Sequence, residues 1–208
     1  MGDAVFAIFR RVKADNGDGN PLIYALKGRG GFSISRREVF KFIPDMSNSI
    51  TNLVPHLTVD AIMAVPSSHG IANIVARRIS KAAGLPLIPC GFLKKKNSLV
   101  VSELVYRLKN VPLKKREQVA IVEMISLLQK NPDQDFSMKD VKVRDRAHVE
   151  PIQWNNTIPF PSGSLLLVDD LLATGQSLAV MSRLLLQFGT PQVQRVCLLG
   201  SLDRYVKI

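Results

Sequence analysis

The sequence predicts an α/β fold with a doubly wound, mostly parallel sheet, and three observations carry that expectation. Two separate stretches, residues 60–93 and 161–202, repeat one grammar: a short apolar run, a turn, a helical segment and a second apolar run. The apolar runs are continuous rather than alternating, as strands buried on both faces require. Of 208 residues 46% are hydrophobic, which supports a sizeable core within a single domain.

Taken in order, Val5 to Val12 and Leu22 to Leu26 are β-rich runs flanking Asp15-Asn16-Gly17-Asp18-Gly19-Asn20, a cluster suited to a turn, so residues 1–59 are expected to open with a hairpin. Ser35 followed by Glu38 reads as a capping box for a short helix, and Ser49 to Leu57 as a second one disturbed by Pro55. Ala61 to Val65 is a buried parallel strand, broken by Pro66-Ser67-Ser68-His69-Gly70. Ile71, Ile74, Val75, Ile79 and Ala82 then recur at helical spacing, Gly84 closes the helix, and Leu85 to Leu93 returns as a strand.

Residues 94–160 depart from this grammar. Lys94, Lys95, Lys96, Arg107, Lys109, Lys114, Lys115 and Arg116 face Glu103 alone across residues 94–116, which read as a basic loop. Arg116 to Lys130 is helical with Val119, Val122, Ile125 and Leu128 on one face, and residues 133–160 are polar and loop-like. The grammar resumes with the strand Leu165 to Val168, the segment Asp169 to Ser177, a helix from about Ser177 to Phe188 stopped by Gly189, and the strand Val193 to Leu199.

Twenty-eight Lys and Arg against seventeen Asp and Glu leave a net charge of +11, which predicts anionic partners: phosphorylated small molecules or nucleic acid. Cys90 and Cys197 are too few for a disulfide framework or a four-cysteine zinc site, in keeping with a reducing compartment. Asp169 and Asp170 interrupt the longest apolar run, and the apolar stretch Ala4 to Phe9 precedes Arg10-Arg11 in the reverse of a secretory signal. No membrane association is expected, and the expected location is the cytoplasm.

The chemistry concentrates where a parallel strand brings Asp169 and Asp170 to the carboxyl edge of the sheet, the place where open α/β folds bind ligands. Adjacent carboxylates accept hydrogen bonds from a sugar diol. Thr174, Gly175, Gln176 and Ser177 offer backbone N–H groups and hydroxyls at a helix N-terminus, which suits phosphate. The plainer alternative is a solvated turn with Asp and Thr as turn and cap residues.

Leu165 to Leu178 resembles the phosphoribosyl pyrophosphate (PRPP) signature of type I phosphoribosyltransferases: apolar residues, two acids, a short loop, then Thr-Gly and a hydroxyl residue. Leu22 to Gly30 and the Val65-Pro66 strand end look like the ComF branch of that family, though the cysteine-rich zinc module common there is absent. The resemblance implies a type I phosphoribosyltransferase fold and transfer of 5-phosphoribosyl to a nitrogen acceptor with release of pyrophosphate. It implies Asp169 and Asp170 as catalytic residues, Ala173, Thr174, Gly175, Gln176 and Ser177 around the 5′-phosphate, and Ser67, Ser68 and His69 at the pyrophosphate. Lys94, Lys95 and Lys96 would belong to a flexible loop that closes over the site, and Asp203 and Tyr205 would meet the acceptor. Mg²⁺ would be carried by PRPP without a direct protein ligand, and a homodimer is the usual assembly of such relatives. The alternative is a ComF-like protein, weak or inactive in turnover, that senses PRPP and binds nucleic acid or a partner protein through residues 94–116.

Overall fold

The computed structural model describes residues 5–10, 21–28, 31–66, 69–172 and 175–200, without the side chains of Pro21, Arg36, Lys139, Val143 and Ala147. In chain order its regular elements are β1 (Phe6–Phe9), α1 (Pro21–Leu26), α2 (Arg36–Leu53), β2 (Ala61–Ala64), α3 (Ile71–Ala83), β3 (Phe92–Lys94), α4 (Asn97–Asn110), α5 (Lys115–Leu128), β4 (Ile152–Trp154), β5 (Leu165–Leu171), α6 (Gln176–Gln187) and β6 (Val193–Leu199), with short 3₁₀ turns between some of them. They gather into two compact units. One comprises Met1–Cys90, Phe160–Leu178 and Ser182–Ile208, the other Gly91–Pro159 and Ala179–Met181.

The first unit carries a four-stranded sheet in the order β1-β6-β5-β2, parallel throughout. Ile62, Met63, Leu165, Leu166, Leu167 and Val168 are all fully buried, which is what their unbroken apolar runs predict. The pleat sends alternate residues to opposite faces. Ile62, Ala64, Leu166, Val168, Val196 and Leu198 share one core with Ile50 and Leu53 of α2 and Val75 and Ile79 of α3. On the other face Arg195 of β6 donates from Nε to Ser182 Oγ of α6. Helices therefore cover both faces of a mostly parallel sheet. Each fully buried Leu or Ile contributes about 2 kcal/mol.

Several expectations for this unit are corrected. The N-terminal hairpin does not form: β1 pairs in parallel with β6, and Leu22 to Leu26 lies in the helix α1 rather than a strand. Pro21 at its first position is pre-set for a helix, Leu22 and Leu26 pack on the core beside buried Ile23, and Gly28 at φ +58° ends the turn. The turn cluster at residues 15–20 lies outside the described residues. The capping box forms, with the Glu38 amide donating to Ser35 Oγ at 3.2 Å and the Ser35 amide donating to Glu38 Oε2 at 2.9 Å. It starts one helix of 18 residues instead of two short ones, with Pro44 inside it and a 3₁₀ turn at Val54–His56. Ile74 of α3 is exposed, the buried stripe being Ile71, Ala72, Val75, Ala76 and Ile79. The expected strand Leu85 to Leu93 shrinks to a parallel bridge between Leu87 and Ile62, because Pro86 and Pro89 have no N–H to extend a ladder.

In the second unit β3 and β4 form a two-stranded antiparallel ribbon, and α4 and α5 pair around Val100, Leu104, Ile121, Met124, Leu128, Phe136, Val141 and Val149. Residues 94–116 are thus not a loop: Lys94 ends β3 and Asn97–Asn110 is helical. The helix expected over 116–130 forms as α5, but its buried face is Ala120, Ile121, Met124 and Leu128. Val119 and Val122 are 53% and 55% exposed. Among the described residues no helix is long and apolar enough to cross a membrane.

Candidate functional site

The sheet has its switch point between β2 and β5. From β2 the chain crosses through α3 to the bridge at Leu87 on one side, while from β5 it crosses through α6 to β6 on the other. Neighbouring parallel strands whose connections diverge leave a crevice outside their carboxyl ends. β2 and β5 are locked there by Ala64 pairing with Val168 and by the Val65 amide donating to the Val168 carbonyl at 2.8 Å.

Both helices that leave this edge begin alike. Gly70 at φ +66° precedes α3 and Gly175 at φ +69° precedes α6, each in the left-handed region, and neither N-cap glycine has a side chain to cap its helix. Glycine adopts this conformation without the clash a Cβ would bring. A helix start of this kind presents backbone amides backed by the positive end of the helix dipole.

The two acids stand within the strand, since β5 does not stop at Val168. Asp169 pairs with Cys197 and Leu171 with Leu199, because β6 is as long as β5 and keeps offering partners. Successive strand residues face opposite ways, and the contacts agree. Asp170, 6% exposed, reaches Lys27 Nζ at 2.7 Å, just past α1. Asp169 lies in the row of Cys197 and accepts the Asp170 amide at Oδ1, 2.8 Å away. Burial, and then the neighbouring Asp170 charge, pushes the Asp169 carboxyl up to about 6, against the opposing pull of the Asp170 amide and Lys27. Burial, and then the Asp169 charge, pushes the Cys197 thiol up to about 12, so this cysteine stays protonated and is no nucleophile.

Other site residues named from sequence are placed unevenly. Gly175, Gln176 and Ser177 open α6, and His69 sits half-buried in the turn before α3. Ser67, Ser68, Ala173, Thr174, Asp203 and Tyr205 lie outside the described residues. Lys94, Lys95 and Lys96 lie in the second unit, in ordered structure instead of the expected closing loop. The Phe136 amide donates to the Lys95 carbonyl at 2.8 Å, the Lys95 amide to that of Pro151 at 3.1 Å. Lys95 is 5% exposed, with Nζ 2.6 and 2.7 Å from the two carboxylate oxygens of Glu103. Lys96 meets Asp135 at 2.6 Å and holds that carboxyl below its ordinary range, first through the hydrogen bond and then through its charge.

Lys27 is the residue that sequence reasoning passes over. It lies inside the Leu22 to Gly30 stretch, whose resemblance gave it no role, as a cation set between an apolar helix and a glycine.

Among the described residues no group of three or more His, Cys, Asp or Glu side chains is set to hold a metal ion. Asp169 and Asp170 are hard oxygen donors of the type Mg²⁺ takes, but Asp170 is already engaged by Lys27, so ligand oxygens would have to fill most of the ion's shell. No protein-family model matches the chain, and no curated protein matches its sequence.

Proposed function

We propose that the first unit binds PRPP in the crevice between β2 and β5 and transfers its 5-phosphoribosyl group to a nitrogen acceptor. The observation that carries this reading is the combination at one sheet edge of two buried-side carboxylates with two helix starts opened by glycine. A ligand with a diol between two phosphate groups has the matching pattern of donors and negative charge. The α6 start, with Gly175, Gln176 and Ser177 and the preceding Ala173 and Thr174, is assigned to the 5′-phosphate. The α3 side, with Ser67, Ser68 and His69, is assigned to pyrophosphate.

In the reaction the nitrogen lone pair forms the bond to C1 while the C1–O bond to pyrophosphate breaks. Pyrophosphate leaves with the electron pair, and the acceptor's N–H proton passes to solvent. Asp169 and Asp170 hold the diol across the end of β5 and oppose the positive charge that develops on the sugar. Lys27 fixes the Asp170 carboxylate and is a positioning residue. Mg²⁺ carried by PRPP would neutralise charge on the leaving group.

A second reading, in which the pocket senses PRPP without turnover while basic residues of the second unit bind nucleic acid or a partner protein, is favoured by one observation. Lys27 already engages an oxygen of Asp170, one of the two acids assigned to the diol.

Isothermal titration of PRPP with Mg²⁺ into the wild type and the Asp169→Asn, Asp170→Asn double variant tests the site. Binding is expected for the wild type, weakened at least about tenfold in the variant. It should weaken below pH 6 as Asp169 takes up a proton. No wild-type binding at millimolar ligand overturns both readings. Pyrophosphate release over a panel of nitrogen bases then separates transfer from sensing.

A further inference from the structure

α4 and α5 pack against each other and are joined by residues 111–114 alone, so the end of one helix and the start of the next meet at a single tip of the second unit. The tip is tied down by its own hydrogen bonds. The Val111 amide donates to the Arg107 carbonyl at 3.0 Å, the Lys114 amide to Glu117 Oε2 at 2.9 Å, and Gln118 Nε2 to the Leu113 carbonyl at 3.1 Å. Leu113 packs half-buried on the core of this unit and anchors the turn.

The charge of the tip is one-sided. Lys109, Lys114, Lys115 and Arg116 are exposed, and none of them makes an ion pair with a described residue. Three other lysines of the same unit are paired: Lys95 with Glu103 and Lys96 with Asp135 at 2.6 Å, and Lys142 with Glu123 at 3.0 Å. Glu117 is the one acid within residues 104–122, and its carboxylate is turned back to the Lys114 amide. Like charges gathered from Lys109 to Arg116 repel one another, and a ligand bearing a series of negative charges relieves that repulsion.

The surroundings decide which polyanion fits. An acidic protein needs an apolar core to its interface as well as charge, and beside the cations the exposed aliphatic side chains are two valines, Val111 and Val119. Tyr106, 67% exposed, stands three residues before Lys109 and therefore next to it on one face of α4. An aromatic face beside a cation suits an unpaired base whose phosphate the cation holds. A duplex is stiff and meets a protruding tip at few phosphates, whereas a single strand bends around it. We propose that this tip binds single-stranded nucleic acid without sequence preference. Lys109, Lys114, Lys115 and Arg116 take backbone phosphates, and Tyr106 stacks on a base. The assignment rests on the part of the second reading that gives basic residues of this unit an anionic partner, and on nothing in the crevice; Lys95 and Lys96, already paired, take no part.

The test is fluorescence anisotropy of labelled oligo(U) and oligo(dT) of about 20 nucleotides titrated with the full chain over a range of salt. Saturable binding of at least one is expected, with a log–log salt slope near about −3, from four phosphate contacts at about −0.7 each. The variant Lys114→Gln, Lys115→Gln, Arg116→Gln should weaken binding at least about tenfold and bring the slope to about −1. Tyr106→Ala should weaken it at least about fivefold and leave the slope as it is. Lys130→Gln, at the far end of α5, should change neither. Absence of binding up to roughly 100 μM protein at low salt overturns the proposal. So does binding that the triple variant keeps, or tighter binding of a duplex of the same length. Poly-L-glutamate bound as tightly as the oligonucleotides also overturns it, and leaves the second reading its protein partner. PRPP titration of the same chain reads the crevice separately, so the two failures are told apart.

Discussion

At the end of β2 the chain turns through Pro66, His69 and Gly70 into α3, and at the end of β5 it turns through Leu172 and Gly175 into α6. The backbone device is the same in both: a parallel strand, a left-handed glycine and a helix. The side chains differ. β2 ends at apolar Ala64 with Val65 after it, while β5 carries two acids just before its end at Leu171, one held by Lys27 and the other raised well above the ordinary Asp range. A fold needs only the apolar version. A carboxylate sunk into a strand, as Asp169 is, opposes folding, and perturbed carboxylates cluster at functional sites, which is what recommends this edge as the candidate.

The comparison is broken most severely at Lys27. Lys27→Met removes the ammonium that stands 2.7 Å from the buried Asp170 carboxylate, and a stability loss of about 3 kcal/mol is expected in urea unfolding at pH 7. A loss under about 0.5 kcal/mol would show that β5 carries no more strain in charge than β2 does.

Asp169→Asn should act in the opposite direction. A carboxyl raised from 3.8 to about 6 in the folded chain binds its proton more tightly there than in the unfolded chain. Its contribution to stability is therefore fully present below pH 3.8 and is lost as pH rises through 6. The variant, which never ionises, is expected to exceed the wild type by on the order of 2 kcal/mol at pH 7, with the gap closing toward pH 4. Urea unfolding at the two pH values checks this, and an equal gap at both would mean that packing, not charge, sets the difference.

The smallest effect sharpens the likeness. Gly70→Ala and Gly175→Ala should each cost about 1 kcal/mol, since both impose a Cβ on the left-handed region. Gly175→Ala should cost slightly more, because the new Cβ would stand 3.2 Å from Leu172 Cδ1, whereas Gly70 faces open space. Thermal midpoints of the two variants, measured side by side, give the order.

Much of the first unit was legible because continuous apolar runs and positional glycines have few alternatives. Ala61 to Ala64, Leu165 to Val168 and Val193 to Leu199 are in strands, and Gly84 and Gly189 close helices as their positions predict. Legibility ended where tertiary pairing overrides local preference. β-branched and aromatic residues at 22–26 suggested a strand, yet the core asked for one helical turn begun by Pro21. β5 runs past its apolar residues into Asp169 and Asp170 only because β6 continues beside it. At the candidate site the acids and the glycine were readable, while Lys27 became visible only when α1 brought it to Asp170. Lys95 and Lys96 read as part of a free basic run because Glu103 is brought to Lys95 only by the α4 helix and Asp135 comes from beyond α5.

The strand order also sets a timetable for synthesis. The inner strands β5 and β6 follow residue 160, and their outer neighbours β1 and β2 precede residue 65. On a ribosome the outer strands emerge first and wait for β5 and β6 until nearly the whole described chain has been made, β2 having only the short bridge to Leu87 meanwhile. α4 and α5 meet over a short separation in sequence and can close during that wait. β2 must meanwhile keep Ile62 and Met63 from pairing elsewhere, so this nascent chain is expected to depend on chaperones most while residues 91–159 are being translated.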